Sequence, residues 1–220
     1  MGHILAKMQE RKYIQDMFEN EYLYFSFQKN FREQPNDQIG RYDSRDGNLY
    51  TAQIQWIEIQ LPDGTTQKFE RGINLGHADH SENLEDPQFN ICCLTICPLN
   101  EELQVTGLSD RVSELGDSAL VIFNTEKFYD TIEKSISDMG MKCEMRPVKY
   151  YTYKEHNGEL SLFHKDVEFS FQNEFRIIVG PNLKGDISVP VPGLKSMSFI
   201  LESTRLSSLR FHIARTPPID

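Results

Sequence analysis

The tightest constraint on this chain is a set of short apolar runs bounded by polar or turn-forming residues. They are ICCLTIC (Ile91 to Cys97), DSALVIF (Asp117 to Phe123), FRIIVG (Phe175 to Gly180) and SMSFILE (Ser196 to Glu202). Runs of this length, rich in β-branched and aromatic residues, read as buried strands. HILAKM (His3 to Met8), YLYFSF (Tyr22 to Phe27), DISVPVP (Asp186 to Pro192) and SLRFHIA (Ser208 to Ala214) add further strands, and MKCEMRPVKYYTY (Met141 to Tyr153) reads as a strand that Pro147 confines to an edge or a bulge.

Only two long stretches carry a helical period. Tyr13, Ile14, Met17 and Phe18 recur at three and four, and Phe128, Ile132 and Ile136 form a stripe that Thr125 caps and Gly140 ends. GLSDRVSEL adds a short helix with Ser109 as its cap. Strands outnumber helices, so the fold class is α+β, with mixed or antiparallel sheets and few helices. At 220 residues the chain reads as a single domain, 1–220, with enough length to bury a core.

LYTAQIQWIEIQLPDGTTQKFERGINL predicts a hairpin with its turn at Pro62, Asp63 and Gly64. Its apolar phase switches after Trp56, which predicts a bulge or a strand covered on both sides. Gln28 to Asn48 and Gly76 to Asn90 read as polar loops. The first is long for a connector, a candidate lid or recognition segment. Its RYDSRDG piece (Arg41 to Gly47) reads as a self-neutralising loop in preference to a phosphate clamp.

The chain carries 33 acidic and 23 basic residues, a net charge of −10. That field repels phosphate backbones, so nucleic acid is a disfavoured partner. No apolar run reaches membrane-spanning length, and the N-terminus has neither a signal-peptide core nor a myristoylation pattern, which predicts a cytoplasmic protein without membrane attachment. Cys92, Cys93 and Cys97 crowd one apolar run with Cys143 elsewhere, which fits reduced, buried thiols. Joining His77 and His80 to Cys92 and Cys93 as zinc ligands is disfavoured, because adjacent cysteines on a strand face opposite ways; no metal is expected.

No Walker loop, dinucleotide fingerprint or nucleophile elbow is present. What remains is FSFQNEFRIIVGPN, where Gln172 and Glu174 fall on one face if the strand already runs through both. A carboxylate at a strand start beside a cleft can accept a sugar hydroxyl and stabilise positive charge at an anomeric carbon. The competing reading is that Glu174 pairs with Arg176 or another cation.

Gln-x-Glu followed by an aliphatic strand and Pro resembles the third motif of the ADP-ribosyltransferase superfamily, whose Glu contacts the nicotinamide ribose of NAD. The chain also resembles a widespread uncharacterised bacterial family in YIQDMFENEYLYFSFQKNF, in ICCLTIC, and in VKYYTY…LFHKDVEFSFQNEFRII, which parallels V-x-Y … F-x-K … W-x-x-E-x-E-W-R. The resemblance implies an ADP-ribosyltransferase-like fold with NAD as substrate. It assigns Glu174 to the oxocarbenium-like state, Gln172 to acceptor orientation and Thr95 to the nicotinamide pocket, with Tyr24 and Ser26 in reserve. Lys7 or His3 then holds the phosphates. The implied function is an NAD-dependent ADP-ribosyltransferase or NAD glycohydrolase of bacterial toxin or phage-defence type. The alternative is a non-enzymatic module on the same fold that recognises a protein or a nucleotide.

Overall fold

The structure is a computed structural model that describes residues 2–31, 47, 49–53, 56–70, 77–80, 89–181 and 185–212. In chain order its elements are β1 (His3–Gln9), α1 (Arg11–Glu19), β2 (Tyr22–Phe27), β3 (Tyr50–Gln53), β4 (Trp56–Gln60), β5 (Thr66–Glu70), β6 (His77–His80), β7 (Asn90–Pro98) and β8 (Ser118–Ile122). There follow α2 (Thr125–Asp138), β9 (Lys142–Pro147), β10 (Lys149–Tyr151), β11 (Gly158–Glu159), β12 (His164–Asp166), β13 (Glu174–Gly180), β14 (Ile187–Pro190), α3 (Leu194–Met197) and β15 (Ser198–Glu202). The fold is α+β, with a main sheet that is antiparallel throughout and few helices.

That sheet runs β14-β2-β7-β1-β8-β15, and β13 joins β7 to β9 as a branch. Its strands form where the apolar runs predict them. On one face Leu5, Leu94, Leu120 and Ile177 receive the helix stripes, Ile14 and Met17 from α1 and Phe128, Ile132 and Ile136 from α2. The opposite face packs Ile4, Ala6, Cys97 and Val121 against Val112, Leu115 and Leu206. Every described residue of β8 is buried because both faces are covered, as its unbroken apolar run requires.

The sheet forks at β7. β13 lies along one edge of β7 from Asn90 to Thr95, while the other edge is shared by β1 (Thr95 to Pro98) and β2 (Asn90 and Ile91). Ile96 N–H donates to the Asn173 carbonyl, so by alternation Leu94 and Cys92 also turn their amide groups toward β13. Cys93 therefore turns its own amide groups into the gap between β1 and β2. Lys7 Nζ donates to the Cys93 carbonyl there at 3.1 Å.

Several expectations change in detail. The cap of α2 is Asn124, whose Oδ1 accepts from Lys127 N–H, and Thr125 is already helical. The hairpin turn at Pro62 to Gly64 is present between β4 and β5, but residues 50–60 form two strands in different sheets, β3 with β6 and β11, and β4 with β5. The strand changes between Gln53 and Trp56, with 54–55 outside the described residues, so the phase switch after Trp56 falls within β4, which pairs continuously with β5. HADH, read as part of a loop, is strand β6. The described part of SLRFHIA, Ser208 to His212, is not a strand: a 3-10 helix at Ser203–Ser208 is followed by a bridge from Arg210 to Gln104, and 213–214 lie outside the described residues. The stretch RYDSRDG lies outside the described residues except for Gly47. Among the described residues no helix is long and apolar enough to cross a membrane.

Removing the side-chain cap with Asn124→Ala is expected to cost about 1 kcal/mol in urea unfolding, and Thr125→Ala clearly less. The reverse order would place the cap at Thr125. Lys7→Met leaves the Cys93 carbonyl in the fork without a donor, an expected loss of about 1–3 kcal/mol by the same measurement.

Candidate functional site

The opening of β13 is set by a turn, not by a longer strand. Asp166 caps a 3-10 helix over Val167–Gln172, its Oδ1 accepting from Glu168 N–H at 2.9 Å. Asn173 then takes the left-handed conformation (φ 43°, ψ 54°), which Asn tolerates better than most residues. Its side-chain amide donates to the Ile96 carbonyl at 2.6 Å, anchoring the turn to β7. Gln172 therefore lies on the 3-10 helix, and the expected strand neighbour relation with Glu174 is replaced by a chain reversal. The two side chains still meet, through a residue from β12.

That residue is Lys165. Its ammonium donates to Gln172 Oε1 and to Glu174 Oε2, each at 2.8 Å, and lies over the Phe169 ring. The other carboxylate oxygen of Glu174 accepts from Arg176 Nε at 2.5 Å. Arg176 in turn donates from Nη1 to the Leu162 carbonyl. Glu174 N–H donates to the Tyr150 hydroxyl at 2.9 Å. Glu174 is 3% exposed and Arg176 0%, so this is an interior ion network. The competing reading from the sequence, a Glu174–Arg176 pair, is realised in the interior and not at the surface.

Burial alone would raise the Glu174 carboxyl; Arg176 and then Lys165 outweigh it and hold the group well below the ordinary carboxylate range. Tyr150 is pushed up to about 12, foremost by burial. Burial, and then the Glu174 charge, push the Cys93 thiol up; Cys97 is raised to about 12 by burial. These are neutral thiols, without the thiolate character a nucleophile needs. The four cysteines are unbridged.

The structure divides the remaining predicted residues between the two faces of the sheet. Thr95 sits directly opposite Glu174 in the β7–β13 register, and it is buried. Ser26 lies opposite Ile91 on the same face, four positions along β7 from Thr95, about 13 Å at strand rise. Tyr24 is further out and exposed, its hydroxyl donating to Asp186. Asp186 also accepts from Phe27 N–H and Asn30, so Tyr24 belongs to a clasp between β2 and β14. Lys7 follows Ala6, the partner of Thr95, and so faces the helix side with Leu120. His3 is on that side as well, its Nε2 3.2 Å from the Tyr129 hydroxyl of α2. The sheet thus stands between the expected phosphate residues and Glu174.

Lys165 and Tyr150 were not picked out from the sequence as site residues. Their signal was present in the spaced pattern: Tyr150 stands in V-x-Y, Lys165 in F-x-K, and Glu174 and Arg176 in the closing piece.

Glu174→Gln leaves Lys165 and Arg176 buried beside a neutral group, an expected loss of about 3–5 kcal/mol in denaturant unfolding. Because the folded carboxyl titrates below its ordinary value of 4.5, its contribution is present above that pH and is lost as pH falls toward the folded value. Wild type should therefore lose Tm on acidification below about pH 4.5, and Glu174→Gln should show a shallower slope in that window.

Scans of the chain against protein-family models, curated proteins and solved structures find no match to any of them.

Proposed function

We propose that this chain is a non-enzymatic recognition module that engages a protein partner. The observation that carries this reading is the state of Glu174, whose two oxygens are each held by a buried cation. Each oxygen keeps a second lone pair, but Glu174 is 3% exposed and its charge is already balanced by Lys165 and Arg176, so a ribose hydroxyl or a cationic anomeric carbon reaches it only if this interior opens. Opening an interior ion network costs several kcal/mol, which opposes catalysis by this carboxylate.

A contact surface lies elsewhere, on the β4–β5 hairpin. Trp56, Ile59 and Leu61 are all exposed there, Trp56 at 51%, and Lys68 lies over the indole ring at 4.8 Å. A two-stranded hairpin is marginal alone in water, and apolar side chains concentrated on one favour a protein partner with apolar surface of its own.

The second reading is the NAD-dependent ADP-ribosyltransferase or NAD glycohydrolase on an ADP-ribosyltransferase-like fold. It is favoured by the register that sets Thr95 beside Glu174 and by the lysine that joins Gln172 to Glu174. In that reading NAD enters from the face of Thr95 and Glu174, and Lys7 and His3 do not reach it.

Incubation with NAD, alone and with cell extract as a source of acceptors, separates the two by free nicotinamide. The recognition reading expects no release above the blank and no rise in Tm with NAD. Nicotinamide release that disappears in a folded Glu174→Gln variant overturns it. A Trp56→Ser, Ile59→Ser variant should keep its Tm and lose any protein that co-purifies with wild type.

A further inference from the structure

The main sheet ends in three outer strands, and two of them are guarded. Val191 N–H donates to the Glu21 carbonyl, so in the register of β14 with β2 the positions facing outward are Ser188 and Pro190. Val148 N–H donates to the Glu174 carbonyl, which turns Cys143, Met145 and Pro147 of β9 outward. Each edge thus carries a proline where an approaching strand would need an N–H, and β9 adds exposed Lys142, Glu144 and Arg146.

β15 has no such guard. Phe123 N–H donates to the Met197 carbonyl and Ser203 N–H to the Asp117 carbonyl, so Phe199 and Leu201 bond to β8. Ser198, Ile200 and Glu202 turn away from β8. Among the described residues nothing pairs with the Ile200 N–H or carbonyl, the Ser198 carbonyl or the Glu202 N–H. The Glu202 carbonyl is spoken for as the N-cap of the following 3-10 helix. Phe199, Ile200 and Leu201 are only half-buried, and the exposed Phe123 ring stacks on Phe199 at 6.2 Å.

We infer that the β15 edge pairs with the β15 edge of a second copy of this chain, antiparallel about a two-fold axis through Ile200. The order of free groups on the edge fits its own reverse. Ile200 N–H meets the Ile200 carbonyl of the second copy, twice by symmetry, with Glu202 N–H directed toward Ser198, which is 4% exposed. No free donor faces a donor, and the already engaged Glu202 carbonyl is not called on. The same register sets Phe199 against Leu201 on one face and Ile200 against Ile200 on the other, so apolar side chains meet along the strand. It also directs the acidic Glu202 toward the end that carries Lys195 in the second copy. Opposing the association is the −10 charge of each copy, a repulsion that salt screens, so pairing strengthens as ionic strength rises.

Sedimentation equilibrium across a dilution series, at low and at physiological salt, tests this directly. Wild type is expected to show a mass twofold the 25.6 kDa of one chain, with dissociation favoured at low salt. Ile200→Pro removes an outward N–H that β8 does not use, as Pro147 and Pro190 do on the other edges, and is expected to be a monomer. Ile200→Lys, with the backbone untouched, puts like charges on the axis and is expected to be a monomer as well, with far-ultraviolet circular dichroism matching wild type. A wild type that stays monomeric at every concentration and salt overturns the proposal. So does a dimer that persists in folded Ile200→Lys.

Discussion

The interior ion network of Lys165, Glu174 and Arg176 governs how the rest of this molecule can be arranged. Three charged groups in a low-dielectric interior are tolerable only together, because each one alone would carry a desolvation penalty of several kcal/mol. Their geometry recruits three separate segments. Arg176 and Glu174 come from β13, Lys165 from β12, and Gln172 from the 3-10 helix between them. Arg176 also holds the Leu162 carbonyl, so the segment before β12 is tied to the sheet. A register slip of one residue on β13 would turn the carboxylate to the apolar helix side, away from Lys165 and Gln172, so the network also specifies strand pairing.

The fork at β7 shows a second polar group used for structure. Antiparallel strands satisfy every amide group only while they stay side by side. Where β1 and β2 part, the Cys93 carbonyl is left facing a gap, and Lys7 fills it from the neighbouring strand. A lysine that reads from the sequence as a phosphate contact is thus accounted for by backbone geometry. The Asp186 clasp does similar work at the far side, drawing Tyr24, Phe27 N–H and Asn30 together where β2 leaves the sheet.

Much of the secondary structure was legible in the sequence because apolar spacing is a local property. ICCLTIC and DSALVIF can be buried on both faces only as strands under cover, and the Phe128, Ile132, Ile136 stripe can be buried only as a helix. The failures are equally local in cause. Asn124 and Thr125 are both good caps, and sequence alone does not say which one has non-helical dihedrals. Leu209 and Phe211 pack as partly buried residues on either side of the isolated Gln104–Arg210 bridge, so an alternating pattern read as a strand where the pairing is limited to one bridge.

By itself the sequence determined the fold class, the main strands and helices, the hairpin turn and the burial of Cys92 and Cys97, while Cys93 and Cys143 are only half-buried. These follow from composition and period, which neighbouring residues along the chain are enough to express, whereas Glu174 was singled out by a motif resemblance. The tertiary structure alone decided what Glu174 does. Its partner Lys165 is nine residues away and is brought in by a reversal through Asn173, and the faces of Lys7 and Thr95 depend on which strands pair in which register. A charge has no fixed role until its surroundings set its dielectric and its counterions, and those surroundings are assembled only when distant segments fold together.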